Sequence, residues 1–394
     1  MQRQEADVVI FGGGIAGLWL LARLLREGYS ALLLEPRGLG GVQTLASQGI
    51  IHGGTKYALT GHLTDAAQAI AAMPGRWRAA LAGGGELDLR GVRIRADHQF
   101  LWSTAGVASR LAGFFAGKAM RSRVTPVAEA QRPQALADPA FRGAVYRLDE
   151  PVLDVPSLTA ELDRQTGGAA LRIAFPDGVR IRAGERPRVA LSGEAGVLEI
   201  DTHRLVLAAG AGNAALLEHL GRAMPKMQRR PLHMVMVRGT LPALYAHCLG
   251  ASANPRLTVT SHGEGAAQVW WLGGDLAERG VARSGADQIT AARQVLAELL
   301  PWLDLADAEW ATLRVDRAEA AQPGGRRPDL PTVDEAEGVI TVWPTKLAFA
   351  PLLADRVIEA LQRAGIAPSG GRTPAPDWPA PPLARPPWEI CRWN

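Results

Sequence analysis

Cysteine is nearly missing from this sequence: Cys248 and Cys391 are the only two among 394 residues. Two thiols cannot build a disulfide framework, which points to a reduced, cytoplasmic setting. No apolar run reaches the roughly 18 residues of a membrane-spanning helix, so any membrane association is expected to be peripheral. A strand pattern opens at Asp7, which leaves no room ahead of it for a signal peptide. Lysine is scarce too: Lys56, Lys118, Lys226 and Lys346 break a cation set otherwise made of arginine. With a net charge of only +4 and no long basic run, nucleic-acid binding is not expected. No internal repeat is visible.

What is present is a globular composition, 47% hydrophobic and 21% charged, in a chain long enough for two domains. Its organising stretch is Asp7 to Glu35. The apolar run Val8 to Phe11 reads as a buried strand that stops at Gly12, Gly14 and Gly17, the spacing G-x-G-x-x-G. A helical pattern follows from Ile15 through Ala16 to Glu27, and Gly28 falls where a C-cap belongs. Ala31 to Leu34 is a second buried strand and ends on Glu35, eighteen residues after Gly17. Gly12 allows the tight turn, Gly14 lets a pyrophosphate approach the backbone, and Gly17 lets helix and strand pack closely. The helix N-terminus then offers free N–H groups to phosphates, and Glu35 is placed to accept from a ribose hydroxyl. FAD and NAD both satisfy this element.

Beyond Glu35 comes a turn-rich loop, Pro36-Arg37 to Gly41, and then SQGIIHGGTKY, from Ser47 and Gln48 through His52, Gly53 and Gly54 to Lys56 and Tyr57. Glycines flanking a histidine suit close backbone approach to a flat ring. This segment resembles the S-x-x-I-H-G-G-x-x-Y stretch of FAD-dependent glycerol-3-phosphate dehydrogenases and oxidases, and the I-H-A-G stretch of L-2-hydroxyglutarate oxidases. Both belong to the D-amino-acid-oxidase-like flavoprotein superfamily. The resemblance implies FAD, with the segment beside the isoalloxazine ring and the histidine near it. Leu205 to Gly212 is similar to the superfamily's A-T-G strand end near FAD, with Ala209 before Gly210. Trp310 to Arg314, WATLR, resembles its W-A-G-L-R-P segment, whose arginine binds the substrate's acid group, and Arg317 is a rival for that role. Pro344-Thr345-Lys346-Leu347 looks like the dehydrogenases' G-G-K-L segment at the flavin, with Pro344 and Thr345 in place of the glycines.

Elsewhere the pattern predicts a helix from about Asp65 to Ala80, kinked or divided at Pro74-Gly75 and ended by the glycines at 83–85. Val92 to Arg95 alternates like a strand, and Phe100 to Lys118 has mixed helical spacing. Residues 231–239, 257–261 and 268–272 read as strands of one antiparallel sheet, and 287–300 as an amphipathic helix. Residues 338–361 read as strand, tight loop and helix. From Pro368 the chain is Pro/Gly-rich, and Trp378, Trp388 and Trp393 suggest that this tail lies against the body.

The expected fold is α/β: a Rossmann-like FAD-binding domain (1–75, 146–222 and 325–370) with an inserted α+β, antiparallel-sheet substrate domain (76–145 and 223–324) and a tail (371–394). Oxidising a C–H bond on flavin requires a carbon held over N5, a base for the heteroatom proton and a hold on the substrate's anionic end. His52 is the base candidate, with a structural contact to flavin or a covalent link to it as alternatives; FAD is expected to be non-covalent. Arg314, Arg317 and Lys346 are the candidate anion clamps, and His233 is a further histidine that could face the ring. The expected partners are a small anionic organic substrate, such as a 2-hydroxy acid or polyol phosphate, and an electron acceptor: oxygen, a quinone or a protein. An amino-acid or amine oxidase, and a flavin-bearing electron-transfer or assembly subunit without its own substrate, are the alternatives. No metal site is expected.

Overall fold

The apolar run at the start of the chain forms the middle of a sheet in the computed structural model, which describes residues 2–54, 65–106, 124–250, 254–265, 268–370 and 375–394. Numbered along the chain, the first sheet contains β1 (Gln2–Phe11), β2 (Ala31–Glu35), β8 (Ala170–Arg172), β9 (Val179–Arg182), β10 (Arg188–Gly193), β11 (Gly196–Leu207), β17 (Thr332–Ala336) and β18 (Val339–Trp343). Its order is β17-β18-β11-β1-β2-β8, with β10 and β9 adjoining β11. β18, β11, β1, β2 and β8 run parallel, so the carboxyl ends of β1, β2, β11 and β18 share one edge of the sheet. Helix α1 (Ile15–Arg26) covers β1 with Leu18, Trp19, Leu21 and Leu24, all buried. Each such aliphatic side chain contributes about 1.5–3 kcal/mol of apolar burial.

The second sheet holds β4 (Gln99–Ser103), β5 (Val124–Pro126), β6 (Val145–Leu148), β12 (Met227–Arg238), β13 (Ala246–Leu249), β14 (Leu257–His262), β15 (Val269–Gly273) and β16 (Glu309–Ala320). Its order is β16-β12-β15-β14-β13-β4-β6-β5. Because side chains alternate across a strand, its two faces differ. The outer face carries Trp310, Val235, Val237, Trp270, Leu272 and Val259 against Ala292, Leu296 and Leu299 of the helix Gly285–Leu299. The inner face carries Ala311, Leu313, Met234, Met236 and Trp271, and Ala46 packs on it. A short pair, β3 (Ile94–Ala96) with β7 (Val152–Leu153), lies beside the two sheets.

Two expectations fail locally. Residues 99–103 are the strand β4 and not helix: Leu101 and Trp102 pack into two different hydrophobic clusters, a period of two that the flanking small residues hide. The remainder of that stretch, 107–123, lies outside the described residues. Helix α2 (Asp65–Leu81) is not divided at Pro74 but runs through it as one element. Pro74 is anchored between Met73 and Trp77, both buried in the first core, and Trp19 meets Trp77 at 4.6 Å between ring centroids. That tertiary packing outweighs the lost N–H bond.

The tail follows both sheets. Arg172 N–H donates to Pro379 O at 2.7 Å, and Leu39 and Leu383 form a parallel bridge. Trp388 stacks on His262 at 4.1 Å, and Asn394 exchanges two backbone hydrogen bonds with Trp310, at 3.1 and 3.0 Å.

Candidate active site

At the shared carboxyl edge the first loop is cramped to the limit. Gly12 has φ +111°, and a Cβ there would fall 2.5 Å from Ala209 Cα. β11 ends at that contact. Asn213 then ties two strand ends together, those of β11 and β18: its Oδ1 accepts from Ala209 N–H at 2.8 Å and its Nδ2 donates to Val342 O at 3.0 Å. Trp343 Nε1 donates to Gly210 O at 3.1 Å. Helix α1 starts at Gly14 with no side-chain cap of its own and no acid in its first turn, which leaves its dipole end available to an anion. Thr44 Oγ1, from the loop after Arg37 and Gly41, accepts from Ile15 N–H at 3.0 Å. Glu35 accepts from Gly13 N–H at 2.7 Å, Arg37 N–H at 2.8 Å and Gly38 N–H at 3.3 Å, so Pro36-Arg37 and the glycine loop are locked to one carboxylate. Ser47 Oγ is buried with no partner among the described residues. A glycine-lined loop, an open helix end, a preset acid and an unsatisfied hydroxyl together fit a dinucleotide cofactor.

The chain from Gln43 to Gly54 lies between the two sheets. Gln48 Nε2 donates to Trp271 O at 3.0 Å, Trp271 Nε1 donates to Ala46 O at 3.2 Å, and Ala318 N–H donates to Gln43 Oε1 at 3.0 Å. Ile51 N–H donates to Pro151 O at 2.9 Å and Leu153 N–H to Gly49 O at 2.9 Å, which sets this stretch alongside 151–153. That pairing delivers Glu150 to His52. Glu150 Oε2 lies 3.4 Å from His52 Nδ1 and accepts from Gln99 Nε2 at 2.5 Å, and Oε1 accepts from Gly53 N–H at 2.7 Å. Burial pushes the Glu150 carboxyl up, but His52, the Gly53 amide and His247 more than offset it and hold the group at about 2. His52 itself keeps 41% of its side chain exposed and stacks on His247 at 5.8 Å. His247 is buried, bonded to Thr258 Oγ1 at 2.7 Å, and pushed down to about 3 by burial and then by the charge of His52.

The anion-clamp candidates separate. Arg314 lies on the outer face of β16, where its guanidinium donates to the carbonyls of Val281 and Arg283. His233, opposite it on β12, turns the same way and bonds Gly280 O at 3.0 Å. Burial pushes its imidazole down. Neither lies on the inner face, because the pleat gives that face to Leu313 and Val315. Arg317 shares the parity of Val315 but is engaged by Glu278 at 3.2 Å and by Arg230 O. β16 is also separated from β13, the strand of His247, by β12, β15 and β14. At about 4.8 Å per step that is about 19 Å along the sheet.

Lys346 is different. A Cβ on Gly53 would meet Pro74 Cγ at 3.1 Å, and Trp77 Nε1 donates to Ala348 O at 3.0 Å. Pro74 and Trp77 are about one turn apart on α2, so that helix touches the chain next to His52, at Gly53, and the chain two residues beyond Lys346, at Ala348. Lys346 Nζ lies 5.4 Å from the centre of the Phe349 ring. Thr345 has φ +61°, the conformation the resembled glycine would adopt freely, and its carbonyl accepts from Arg327. Lys56 and Tyr57 lie outside the described residues. Glu150, Gln99, His247, Thr44 and Thr258 carry no motif, and sequence spacing does not single them out. Among the described residues no cluster of His, Cys, Asp and Glu could hold a metal ion, and no helix is long and apolar enough to cross a membrane.

Residues 7–350 match the family model described as FAD dependent oxidoreductase. A probable FAD-dependent oxidoreductase of Pseudomonas aeruginosa is 53% identical over 399 residues, covering 99% of both chains. The crystal structure of that FAD-dependent oxidoreductase superposes with a TM-score of 0.82 at 47% identity, again over 99% of each chain. Glycine oxidase from Geobacillus kaustophilus shares the fold, with a TM-score of 0.64, 19% identity, and coverage of 91% of this chain and 95% of that one.

Proposed function

The chain belongs to the FAD dependent oxidoreductase family and is an FAD-dependent enzyme; from that premise we propose that it oxidises a small anionic hydroxy compound, a 2-hydroxy acid or a polyol phosphate, with His52 as base. The observation that supports this reading is that α2 meets both Gly53, next to half-exposed His52, and Ala348, two residues beyond Lys346. A hydroxyl holds its proton tightly at neutral pH, so hydride loss from the neighbouring carbon calls for a base, whereas an amine sheds its proton more readily. When bound, FAD accepts the hydride at N5. Gly12, Gly14, Thr44, Ser47 and Glu35 would hold it. His52 takes the hydroxyl proton, Lys346 holds the acid group as a point charge, and the sheet above excludes water.

A second reading, an amino-acid or amine oxidase, draws on the substrate of glycine oxidase and on the negative charge of Glu150 behind His52, which favours a cationic group nearby. Anaerobic bleaching of the purified yellow protein by hydroxy acids, polyol phosphates and amino acids in turn separates the two. Bleaching by a hydroxy compound is the expected result. Bleaching by amino acids alone would overturn it.

A further inference from the structure

We infer that Glu150 is the positioning residue of His52: its carboxylate takes the hydrogen bond of the imidazole Nδ1–H, fixes that tautomer, and leaves Nε2 as the basic nitrogen that meets the substrate. This rests on the reading of His52 as base and adds which atom acts and what holds it.

Among the described residues, two donors and one imidazole nitrogen converge on Glu150. Gly53 N–H reaches one oxygen at 2.7 Å, and Gln99 Nε2 reaches the other at 2.5 Å, with His52 Nδ1 3.4 Å from it. An ionised carboxylate only accepts, so the nitrogen turned toward it is the protonated one. Gln99 cannot serve as a rival acceptor. Its amide nitrogen is the end at Glu150, and its oxygen is buried with no partner among the described residues. Gly53 follows His52 in the chain, so the backbone and the ring of one dipeptide hold the same carboxylate from two sides, and the ring is fixed relative to its own backbone. The other histidines of this region are committed elsewhere, His247 to Thr258 and His262 to Thr260. The balance is simple. The hydroxyl proton moves to Nε2, the hydride with both electrons leaves the carbon for FAD, a carbonyl forms, and the imidazolium rests against a carboxylate that stays ionised throughout. The half-exposed ring and the buried acid divide the work: one meets substrate, the other never does.

The test uses the FAD-loaded protein with ¹⁵N-labelled histidine. Ring NMR at neutral pH reads the tautomer, with His52 assigned by its disappearance in His52→Asn. Wild type should show a protonated Nδ1 and a bare Nε2. Glu150→Gln should shift the major form to Nε2–H, because one amide oxygen cannot serve three donors. It should also slow flavin reduction about 10–100-fold, the usual cost of losing an orienting partner. The reductant is whichever of L-lactate, L-2-hydroxyglutarate or sn-glycerol 3-phosphate bleaches wild type. Glu150→Asp keeps the charge and should retain the tautomer and recover part of the rate, so a folding defect in the glutamine variant would not hide the answer. An Nε2–H tautomer in wild type, or a Glu150→Gln protein with tautomer and rate both unchanged, would overturn the inference. His52→Asn reducing flavin at the wild-type rate would instead remove His52 as base, while the pairing, read by the tautomer, would stand.

Discussion

A Cβ on Gly17 would sit 1.9 Å from the carbonyl oxygen of Gly12. This is where helix α1 crosses strand β1, and no side chain fits between them. Gly17→Ala is therefore expected to destabilise the protein by about 1–3 kcal/mol or more, read as a fall in melting temperature. Gly14 is different, since a Cβ there meets, among the described residues, Thr44 Oγ1 alone, at 3.2 Å. Gly14→Val should fold but purify colourless, because the branched side chain fills the pyrophosphate's place. A yellow Gly14→Val protein would remove this loop from cofactor binding.

His52→Ala should reduce flavin about 10²–10⁴-fold more slowly with FAD content nearly intact. Anaerobic stopped-flow mixing with the bleaching substrate measures it. Loss of FAD in the variant would favour a structural role, and flavin that stays with the acid-denatured wild-type chain would favour a covalent link.

Lys346→Met should lower kcat/KM about 10- to 150-fold, the worth of one charge-assisted contact of about 1.5–3 kcal/mol. Arg314→Met should leave it within about twofold, since Arg314 serves the carbonyls of Val281 and Arg283. The opposite ranking would return the clamp to β16.

Why the resemblance pointed to Arg314 while the strand turns it to the outer face is a matter of parity. The WATLR segment places the arginine one residue beyond Leu313, and in a strand one residue changes the face. Thr312 and Val315 stand where the resembled segment has glycine and proline, and the strand runs straight through them. The N-terminal element was legible because its strand, turn, helix and acid are contiguous and each has a local signature. Glu150 and Gln99 were not: 51 residues separate them, and only the pairing of 49–51 with 151–153 brings the acid to His52. The strand β4 was missed for a similar reason, since five residues are too few to declare a period without their neighbours.

Acid should destabilise the protein well above the carboxylate range. His247 and His262 are both buried and held near 3, each chiefly by burial. A histidine depressed in the folded state binds its proton more readily when unfolded. Its contribution is therefore complete above the ordinary value of 6.5 and is lost as pH falls from there toward 3. Each group can add a slope of at most about 1.4 kcal/mol per pH unit. Melting temperature should fall steadily from pH 6.5 to 4, and His262→Phe, which preserves the stack on Trp388, should flatten the slope. Glu150, held at about 2, acts in a lower window, from its ordinary 4.5 downward.

Thr345→Gly should raise stability by about 1 kcal/mol. A β-branched residue at φ +61° carries backbone strain that glycine does not. Thermal melting of the cofactor-free protein isolates this effect from any change in FAD affinity.

The tail also lies along one end of each sheet. β8 ends the order of the first sheet and β16 that of the second, and each would offer unpaired backbone groups to a neighbouring molecule. Pro379 accepts from Arg172 beside β8, and Asn394 pairs with Trp310 on β16, so one stretch of chain obstructs strand addition at an end of both sheets. A cut before residue 379 would uncover both ends together, and the resulting protein should gather into β-rich aggregates even where its core remains sound.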